Sequence, residues 1–170
     1  MNSVEQHRQE APQQVNCMVV TVSDTRTAEN DKGGQLILEL LQEAGYTVAD
    51  YVIVRDEPES ISNLIQHAAE RPEVEAVLLT GGTGIAPRDT TYEAVAGLLE
   101  KEMPGFGEIF RMLSFTEDIG SAAILSRAIA GTIGRTAVFS MPGSTGAVRL
   151  AMTRLILPEL RHVMRELYKD

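Results

Sequence analysis

The stretch that decides the fold is residues 77–91, which read Val-Leu-Leu-Thr-Gly-Gly-Thr-Gly-Ile-Ala-Pro-Arg-Asp-Thr-Thr. An apolar run typical of a buried strand ends at Thr80, and three glycines follow within the next four positions. Because glycine has no Cβ atom, a ligand can approach the backbone N–H groups of such a loop closely. Rows of N–H groups at the carboxyl end of a strand bind anions, typically phosphate or pyrophosphate. The stretch therefore predicts a phosphate-binding loop at residues 80–84.

Two ionisable residues follow this loop before the next helix begins. Arg88 carries a fixed fork of N–H donors that suits phosphate or carboxylate groups. Asp89 is of the type that holds a metal ion or orients a nucleophile. The alternative interpretation is a tight surface turn that needs glycine only for its backbone conformation. The hydroxyls of Thr80 and Thr83 beside the glycines favour the binding loop.

Length and composition predict one globular domain. The chain has 170 residues, of which 44% are apolar and 23% charged, and it lacks a charge-free stretch long enough to span a bilayer. Residues 1–14 are polar and predict a flexible tail, so the predicted domain covers residues 15–170. Cys17 is the single cysteine, which excludes an intramolecular disulfide and favours a reducing, cytoplasmic location.

The charge balance narrows the classes of ligand. A formal net charge of −9 argues against a nucleic-acid binder, which normally presents a basic surface. A phosphate site in such a chain must be local, made of backbone N–H groups, a few arginines and a divalent cation. The three histidines, His7, His67 and His162, lack the Cys/His spacing of a zinc site and are predicted to lie on the surface.

Predicted strands and helices alternate along the first half. The apolar run at residues 16–23 predicts a buried strand, and residues 47–54 and 74–80 predict two more. Between the first two strands, apolar residues recur at helical spacing, at Leu36, Ile37, Leu40 and Leu41. Pro58 is suited to the first turn of the next helix, which Pro72 should stop.

The second half is less regular but completes the same pattern. It predicts short helices at residues 109–115 and 121–127, strands at 130–134 and 136–141, and a last helix that Pro158 should kink. Strands that alternate with helices require right-handed crossovers. The predicted fold class is therefore α/β, a three-layer α/β/α domain with a mostly parallel sheet.

The unusual loops all follow predicted strands. They are Ser23-Asp24, Arg55-Asp56, residues 80–89 and residues 141–145. In an open parallel sheet, ligands bind beyond the carboxyl ends of the strands. The sequence therefore predicts one site to which four loops contribute.

Five blocks of sequence carry a family resemblance. They are Thr80 to Gly84, Arg88-Asp89, Glu-Met-Pro-Gly-Phe-Gly-Glu at 102–108, Leu-Ser-Arg at 125–127 and Met-Pro-Gly-Ser at 141–144. In this order they resemble the MoaB/MogA family of molybdenum cofactor biosynthesis proteins, over roughly residues 15–165. Five ordered blocks are far more specific than the glycine motif alone. Residues 110–115 and 141–146 resemble the MoaB branch.

The resemblance implies an activity and an assembly. It implies a molybdopterin-binding domain in a homo-oligomer, either a trimer or a hexamer. Active members of the family transfer AMP from Mg-ATP to the terminal phosphate of molybdopterin and release pyrophosphate. The implied cofactor is Mg²⁺ with ATP as co-substrate, without a permanently bound group. A downstream enzyme would then insert the metal into the product.

The resemblance also carries roles onto single residues. Asp56 and Asp89 match the catalytic aspartates and are assigned to Mg²⁺ binding and to orientation of the reacting phosphates. Arg88 would balance charge. The loop that would hold phosphate and pterin groups comprises Thr80, Gly81, Gly82, Thr83 and Gly84. The nucleotide side would comprise Met141, Pro142, Gly143 and Ser144.

Helix capping is the alternative role for three of these residues. Asp56 or Glu57 could be the N-cap of the predicted helix that follows, and Ser144 is a suitable cap for the last helix. Asp89 is a weaker candidate cap, because Thr90 with Glu93 forms a predicted capping box. Capping and phosphate contact are compatible at Ser144.

Two functions without catalysis remain open at the level of sequence. A carrier that binds molybdopterin and passes it on would need the same glycine loop. A scaffold would use the fold only for assembly, although both aspartates are present and the chain is short. Dependence on Mg-ATP separates the enzyme from the carrier, and weak or absent pterin binding would indicate the scaffold.

Overall fold

Helices cover both faces of one six-stranded sheet in the computed structural model, which describes residues 2–170. The strands are β1 (Asn16–Val22), β2 (Thr47–Val54), β3 (Ala76–Thr80), β4 (Lys101–Glu102), β5 (Ile129–Ile133) and β6 (Thr136–Met141). The helices are α1 (Ser3–Gln9), α2 (Lys32–Glu43), α3 (Pro58–Glu70), α4 (Thr91–Leu98), α5 (Pro104–Glu117), α6 (Thr145–Ala151) and α7 (Leu157–Leu167). A 3-10 helix covers Gly120–Leu125, and a π-helical segment at Met152–Ile156 joins α6 to α7. In the described part of the chain, no helix combines the length and apolar character needed to cross a membrane.

The order of the strands is β2-β1-β3-β6-β5-β4. The first four strands in this order run parallel, and β5 is antiparallel to both β6 and β4. The β5–β6 hairpin turns at Gly134, whose φ of +56° lies in the left-handed region that glycine favours. The predicted three-layer α/β fold with a mostly parallel sheet is confirmed.

The sheet separates two apolar cores. Successive side chains of a strand point to opposite faces, so Leu78 joins the core beneath α2, α5, α6 and α7, while Val77 and Leu79 join the core beneath α3 and α4. Because both faces are covered, the central strands are apolar at nearly every position. This packing holds the polar residues that follow each strand at the edge of the sheet.

The N-terminal segment differs from the predicted flexible tail at residues 1–14. Ser3–Gln9 form α1, and a reciprocal capping box begins the helix: the Asn2 side chain accepts from the Glu5 N–H at 2.9 Å, and the Glu5 carboxylate accepts from the Asn2 N–H at 2.9 Å. An ion pair between Arg8 and Glu159 joins α1 to α7. The sequence did not predict this helix because it has no buried apolar face; polar contacts hold it in place.

Two prolines have different effects from one another. Pro104 lies in the first turn of α5, where its missing N–H costs nothing, so this helix begins five residues before the predicted start at residue 109. Pro158 follows the π-helical segment, which widens the helix where the proline ring would clash with the preceding turn. The predicted disturbance of the last helix at Pro158 is thus a local change of helix type.

Candidate functional site

The four loops predicted to form a site do meet at one edge of the sheet. They follow β2, β1, β3 and β6, which are neighbours in that order. The backbone N–H of Asp56, after β2, donates to Asp24 Oδ1, after β1, at 3.0 Å. The N–H of Gly81, after β3, donates to the carbonyl of Met141, at the end of β6, at 3.1 Å. Hydrogen bonds therefore connect adjacent loops in pairs.

The glycine loop needs its glycines for two reasons. Gly81 and Gly82 have φ angles of +99° and +66°, a conformation that L side chains rarely adopt. A Cβ atom on Gly81 would lie 2.4 Å from the carbonyl oxygen of Val22, inside van der Waals contact. The loop consequently packs against the end of β1 by direct backbone contact.

Thr80 fixes the glycine loop to the loop after β6. Its side chain is buried, and its Oγ1 donates to the carbonyl of Pro142 at 2.9 Å. Gly33, in the first turn of α2, approaches the same place, because a Cβ atom there would lie 3.0 Å from the Gly143 carbonyl oxygen. The predicted ligand-binding hydroxyl of Thr80 thus holds two loops together.

A cleft of about 520 Å³ lies on one side of the glycine loop. Its lining residues are Thr21, Val22, Ser23, Arg26, Asp31, Lys32, Gly33, Thr80, Gly81, Gly143, Ser144 and Thr145. The cleft contains two exposed cations, Arg26 and Lys32, against one carboxylate, that of Asp31, and the N-terminus of α2 lies at its wall. This side of the loop is suited to bind anionic groups.

Asp31 organises the wall of this cleft and was not among the predicted site residues. Its buried carboxylate caps α2 by accepting from the Gly34 N–H at 3.0 Å, and it also accepts from Thr21 Oγ1 at 2.6 Å and from the Tyr51 hydroxyl. Burial, together with this bond to Asp31, raises the pKa of Tyr51 to about 12. The sequence signal for this role was the aspartate directly before Lys32-Gly33-Gly34, a suitable N-cap at the start of a helix.

Three carboxylates, those of Asp24, Asp56 and Asp89, lie on the other side of the glycine loop, and we call them the acidic cluster. Asp56 Oδ1 accepts from the Thr90 hydroxyl at 3.2 Å and, at 3.4 Å, from its backbone N–H. Burial raises the pKa of Asp56, and the charges of Asp89 and Asp24 add to this rise. Glu57 takes the N-cap position of α3, without a side-chain capping bond. Asp56 therefore does not cap that helix, and its carboxylate belongs to the acidic cluster.

Asp89 packs against the glycine loop, since a Cβ atom on Gly84 would lie 2.6 Å from Asp89 Oδ2. The predicted capping box at the start of α4 is wrong: Thr90 takes the N-cap position without a side-chain capping bond. Its hydroxyl donates to Asp56 instead, and the Glu93 carboxylate pairs with Arg127. Tertiary partners have replaced the local capping interaction.

Arg127 holds the acidic side of the loop in place and was not predicted as a site residue. Its guanidinium donates to the Gly84 carbonyl at 3.0 Å and 2.7 Å and to the Asp89 carbonyl at 3.0 Å. It lies over the Tyr92 ring, 5.2 Å from the centroid. The only sequence signal was the Leu-Ser-Arg block of the family resemblance.

The remaining predicted residues have distinct positions. Arg88 pairs with Asp24, and its side chain is 71% exposed. The side chain of Met141 is fully buried in the core, which leaves its backbone for the predicted role on the nucleotide side. Thr83, Gly84 and Pro142 line a smaller, apolar pocket of about 210 Å³ beside α5.

Ser144 borders both the cleft and the smaller pocket. Its Oγ accepts from the Ala147 N–H at 3.2 Å and caps α6, so its predicted role as a helix cap is confirmed. Ser144 lies at the N-terminus of α6, and this end of the helix borders the cleft. Its second predicted role, contact with a phosphate, is therefore compatible with the geometry.

The acidic cluster consists of carboxylates, the ligand type that Mg²⁺ prefers. The ion pair with Arg88 offsets the charge of Asp24, whereas burial raises the pKa of Asp56 and the negative charge of Asp89 adds to that rise. A divalent cation would relieve the repulsion between these carboxylates. Because Mg²⁺ usually keeps several waters, one or two carboxylates are a sufficient protein ligand set.

Comparison with known proteins agrees with this architecture. Residues 18–162 match the molybdenum cofactor biosynthesis family model, described as a probable molybdopterin binding domain. Molybdenum cofactor biosynthesis protein B of Halalkalibacterium halodurans is 66% identical over 168 residues, covering 99% of each chain.

Solved structures give the same result. A crystal structure of molybdenum cofactor biosynthesis protein B is 60% identical and has a TM-score of 0.92, with 94% of this chain and 99% of that chain covered. The tungsten cofactor synthesizing protein MoaB from Pyrococcus furiosus is 37% identical, with a TM-score of 0.83 and coverage of 94% and 100%. The resemblance seen in the sequence is confirmed, and the chain belongs to the MoaB/MogA family of molybdenum cofactor biosynthesis proteins.

Proposed function

We propose that this protein binds molybdopterin and transfers AMP from Mg-ATP to its terminal phosphate. The observation that carries the proposal is the position of the glycine loop, which runs between a cleft suited to anions and a cluster of carboxylates. A reaction between two phosphate-bearing substrates needs donors for their oxygens and a means of neutralising their charge. The cleft would supply the donors, and the carboxylates would hold the Mg²⁺ that neutralises the charge.

The proposed reaction forms one bond and breaks one. An oxygen of the terminal phosphate of molybdopterin bonds to the α-phosphorus of ATP. The bond from the α-phosphorus to the oxygen that bridges it to the β-phosphorus breaks, and pyrophosphate leaves with that electron pair. Since both substrates are anions, alignment and charge neutralisation are the main tasks of the protein.

The residues divide these tasks. Arg26, Lys32 and the N-terminus of α2 would bind phosphate oxygens in the cleft, with the backbone of Gly81 at its wall. Asp56 and Asp89 would hold Mg²⁺. When bound, the ion supplies positive charge to the triphosphate. Arg127 would position the loop through its bonds to the carbonyls of Gly84 and Asp89.

The experiment that tests the proposal is a turnover assay. Purified protein is incubated with molybdopterin, ATP and Mg²⁺, and adenylylated pterin and pyrophosphate are both quantified. The proposal expects equal amounts of the two products, and EDTA should abolish them. Binding of pterin without either product would contradict the proposal.

A non-catalytic carrier of molybdopterin is the second candidate function. It is favoured by one observation: the cleft of about 520 Å³ is complete without Asp56 and Asp89, neither of which lines it. A carrier would bind pterin with equal affinity in the presence and absence of Mg-ATP. In that case the downstream metal-insertion enzyme would receive molybdopterin and not its adenylylated form.

We further propose that the protein acts as a homo-oligomer, a trimer or a hexamer. Six large apolar side chains between residues 109 and 125, on α5, the 3-10 helix and the turn that joins them, are 45% to 82% exposed: Ile109, Met112, Phe115, Ile119, Ile124 and Leu125. A concentration of large exposed apolar side chains in one segment is typical of an interface. We call these six residues the apolar face. Ile119 and Leu125 also line the smaller pocket beside the glycine loop.

The cytoplasm is the proposed location of the reaction. Cys17 is buried in β1, and burial raises the pKa of its thiol to about 12. Such a thiol stays protonated and takes no part in disulfide chemistry. The protein therefore has no need of an oxidising compartment.

A further inference from the structure

Two histidines and a glutamate from opposite ends of the chain meet on the surface, away from the glycine loop. His7 lies on α1, and His162 and Glu166 lie on α7. One ligand atom from each residue lies within 4.8 Å of the other two, and among residues 2–170 this is the only group of three such side chains with that property. We call these three residues the histidine cluster.

The separations suit a tetrahedral metal. Glu166 Oε1 lies 3.5 Å from His7 Nδ1 and 3.8 Å from His162 Nε2. Ligand atoms about 2.0–2.2 Å from a tetrahedral zinc ion are about 3.3–3.5 Å from one another. Small side-chain movements would therefore bring the donors into coordination distance. The spacing of four between His162 and Glu166 places both on one face of α7.

His162 is already oriented as a metal ligand. Its Nδ1 lies 2.9 Å from Glu159 Oε2, which leaves Nε2 as the nitrogen that faces Glu166. A carboxylate bonded to the other ring nitrogen is the usual partner of a metal-bound histidine. Glu159 is fixed in turn by its ion pair with Arg8, the neighbour of His7. The contact that joins α1 to α7 thus also brings the two imidazoles together.

The cluster has room for an ion and its water. His162 borders two surface depressions, of about 330 Å³ towards Tyr46 and about 310 Å³ towards Lys101. The rings of His7 and His162 are tilted at 55° with centroids 5.7 Å apart, so they are not stacked face to face. Three protein ligands leave one coordination position open to solvent.

Two cations compete for Glu166. Lys169 Nζ lies 2.7 Å from Oε2, the oxygen that the histidines do not face. Arg165 Nη1 lies 3.0 Å from Oε1, but the same guanidinium also pairs with Glu10 at 2.5 Å. Coordination through Oε1 would therefore leave both cations with a carboxylate partner.

We propose that the histidine cluster binds a divalent transition metal, with zinc favoured, and that the bound ion fixes α1 to α7. Two imidazole nitrogens and one carboxylate oxygen form a donor set that suits zinc and neighbouring transition metals. Magnesium prefers oxygen ligands alone. The acidic cluster at the glycine loop and the histidine cluster would consequently take different ions, and this proposal does not depend on the proposed function.

The test is a titration of the metal-free, full-length protein with zinc chloride by calorimetry. We expect one ion per chain, and His7→Ala, His162→Ala and Glu166→Gln should each weaken zinc binding about tenfold or more. His67→Ala is the matched control, because His67 lies on α3 away from the cluster, and it should bind zinc like the unmodified protein. Magnesium should not compete.

A second measurement separates loss of zinc binding from loss of stability in the variants. Hydrogen exchange at residues 3–9 should slow when zinc is added to the unmodified protein and should stay unchanged in His7→Ala, a substitution at the surface. Zinc binding that survives in His7→Ala and in His162→Ala, or that is lost equally in His67→Ala, would overturn the proposal.

Discussion

The carboxylate of Asp56 accepts hydrogen bonds from both the hydroxyl and the backbone N–H of Thr90. This relationship joins the end of β2 to the start of α4 across the end of the glycine loop. It explains why neither residue caps a helix through its side chain, although the local sequence suggests that both would. The carboxylate is held in place beside Asp89 in a cluster that carries excess negative charge.

Replacing Asp89 by Asn should reduce turnover on the order of 100-fold, because it removes a charge that the reacting phosphates and their metal require. The shape of the side chain is preserved, so the fold and pterin binding should remain. Adenylylated pterin measured at saturating substrate tests this. Asp170→Asn, at the exposed C-terminus, is the control and should keep full activity. Normal turnover in Asp89→Asn would exclude the catalytic assignment.

The stability of the protein should depend on pH through Asp56. Burial and the neighbouring carboxylates raise the pKa of Asp56 in the folded chain. A carboxyl group of this kind costs stability when it is ionised; the cost is absent below the unfolded pKa and complete above the folded pKa. Asp56→Asn should therefore raise the free energy of unfolding at neutral pH.

This gain should shrink as the pH falls through the raised pKa towards the ordinary value for aspartate. Urea denaturation of the unmodified protein and of Asp56→Asn at a series of pH values measures it, with Asp170→Asn as the exposed control. A gain that stays constant on acidification would show that ionisation of Asp56 is not its cause.

Removal of the Arg127 side chain should loosen the glycine loop. Arg127→Ala loses three hydrogen bonds to backbone carbonyls and the ion pair with Glu93, and we expect a loss of about 1.5–3 kcal/mol in the free energy of unfolding together with lower turnover. Arg135→Ala is the matched control, since its side chain is 64% exposed on the β5–β6 turn, and it should change stability by less than about 0.5 kcal/mol. Equal effects of the two substitutions would contradict a positioning role for Arg127.

Alanine at position 81 should be strongly unfavourable. The left-handed φ and the 2.4 Å approach to the Val22 carbonyl would cost about 1–3 kcal/mol and displace the loop, so pterin binding should weaken as well. Gly97→Ala is the control, because Gly97 lies in α4 with open space around it, and it should stabilise by about 0.5–1 kcal/mol. Chemical denaturation and pterin titration measure both effects. A tolerated Gly81→Ala would mean that the loop is less constrained than its geometry indicates.

A charge on the apolar face should disrupt assembly. Phe115 is 57% exposed on α5, and Phe115→Glu should shift the protein to smaller species in sedimentation velocity experiments, because an interface does not tolerate an unpaired buried charge. Val4→Glu, which places the same charge at an exposed apolar residue on α1, is the control and should leave the assembly unchanged. If both variants sediment like the unmodified protein, the apolar face is not the interface.

The sequence predicted the features that depend on local pattern. Strand and helix periodicity predicted the α/β fold, and the order of strands and loops predicted that four loops meet at one edge, because parallel strands bring their carboxyl ends together. Arg127 was missed as a site residue because its partners, Gly84 and Asp89, are far away in the sequence.

The errors have a common physical cause. Thr90 and Glu93 have the spacing of a capping box, but each has a tertiary partner that competes with the local bond. The helix at the N-terminus was missed because its contact with α7 depends on residues at the other end of the chain, such as Glu159.

The hydrogen bond from Thr80 to the Pro142 carbonyl has a consequence for the kinetics of ligand binding. Together with the close approach of Gly81 to Val22, it leaves the glycine loop little freedom to open or close. A loop that is already ordered before its ligand arrives loses little conformational entropy on binding. Association should then proceed in a single step whose rate rises linearly with ligand concentration, without a plateau from a slow rearrangement of the protein.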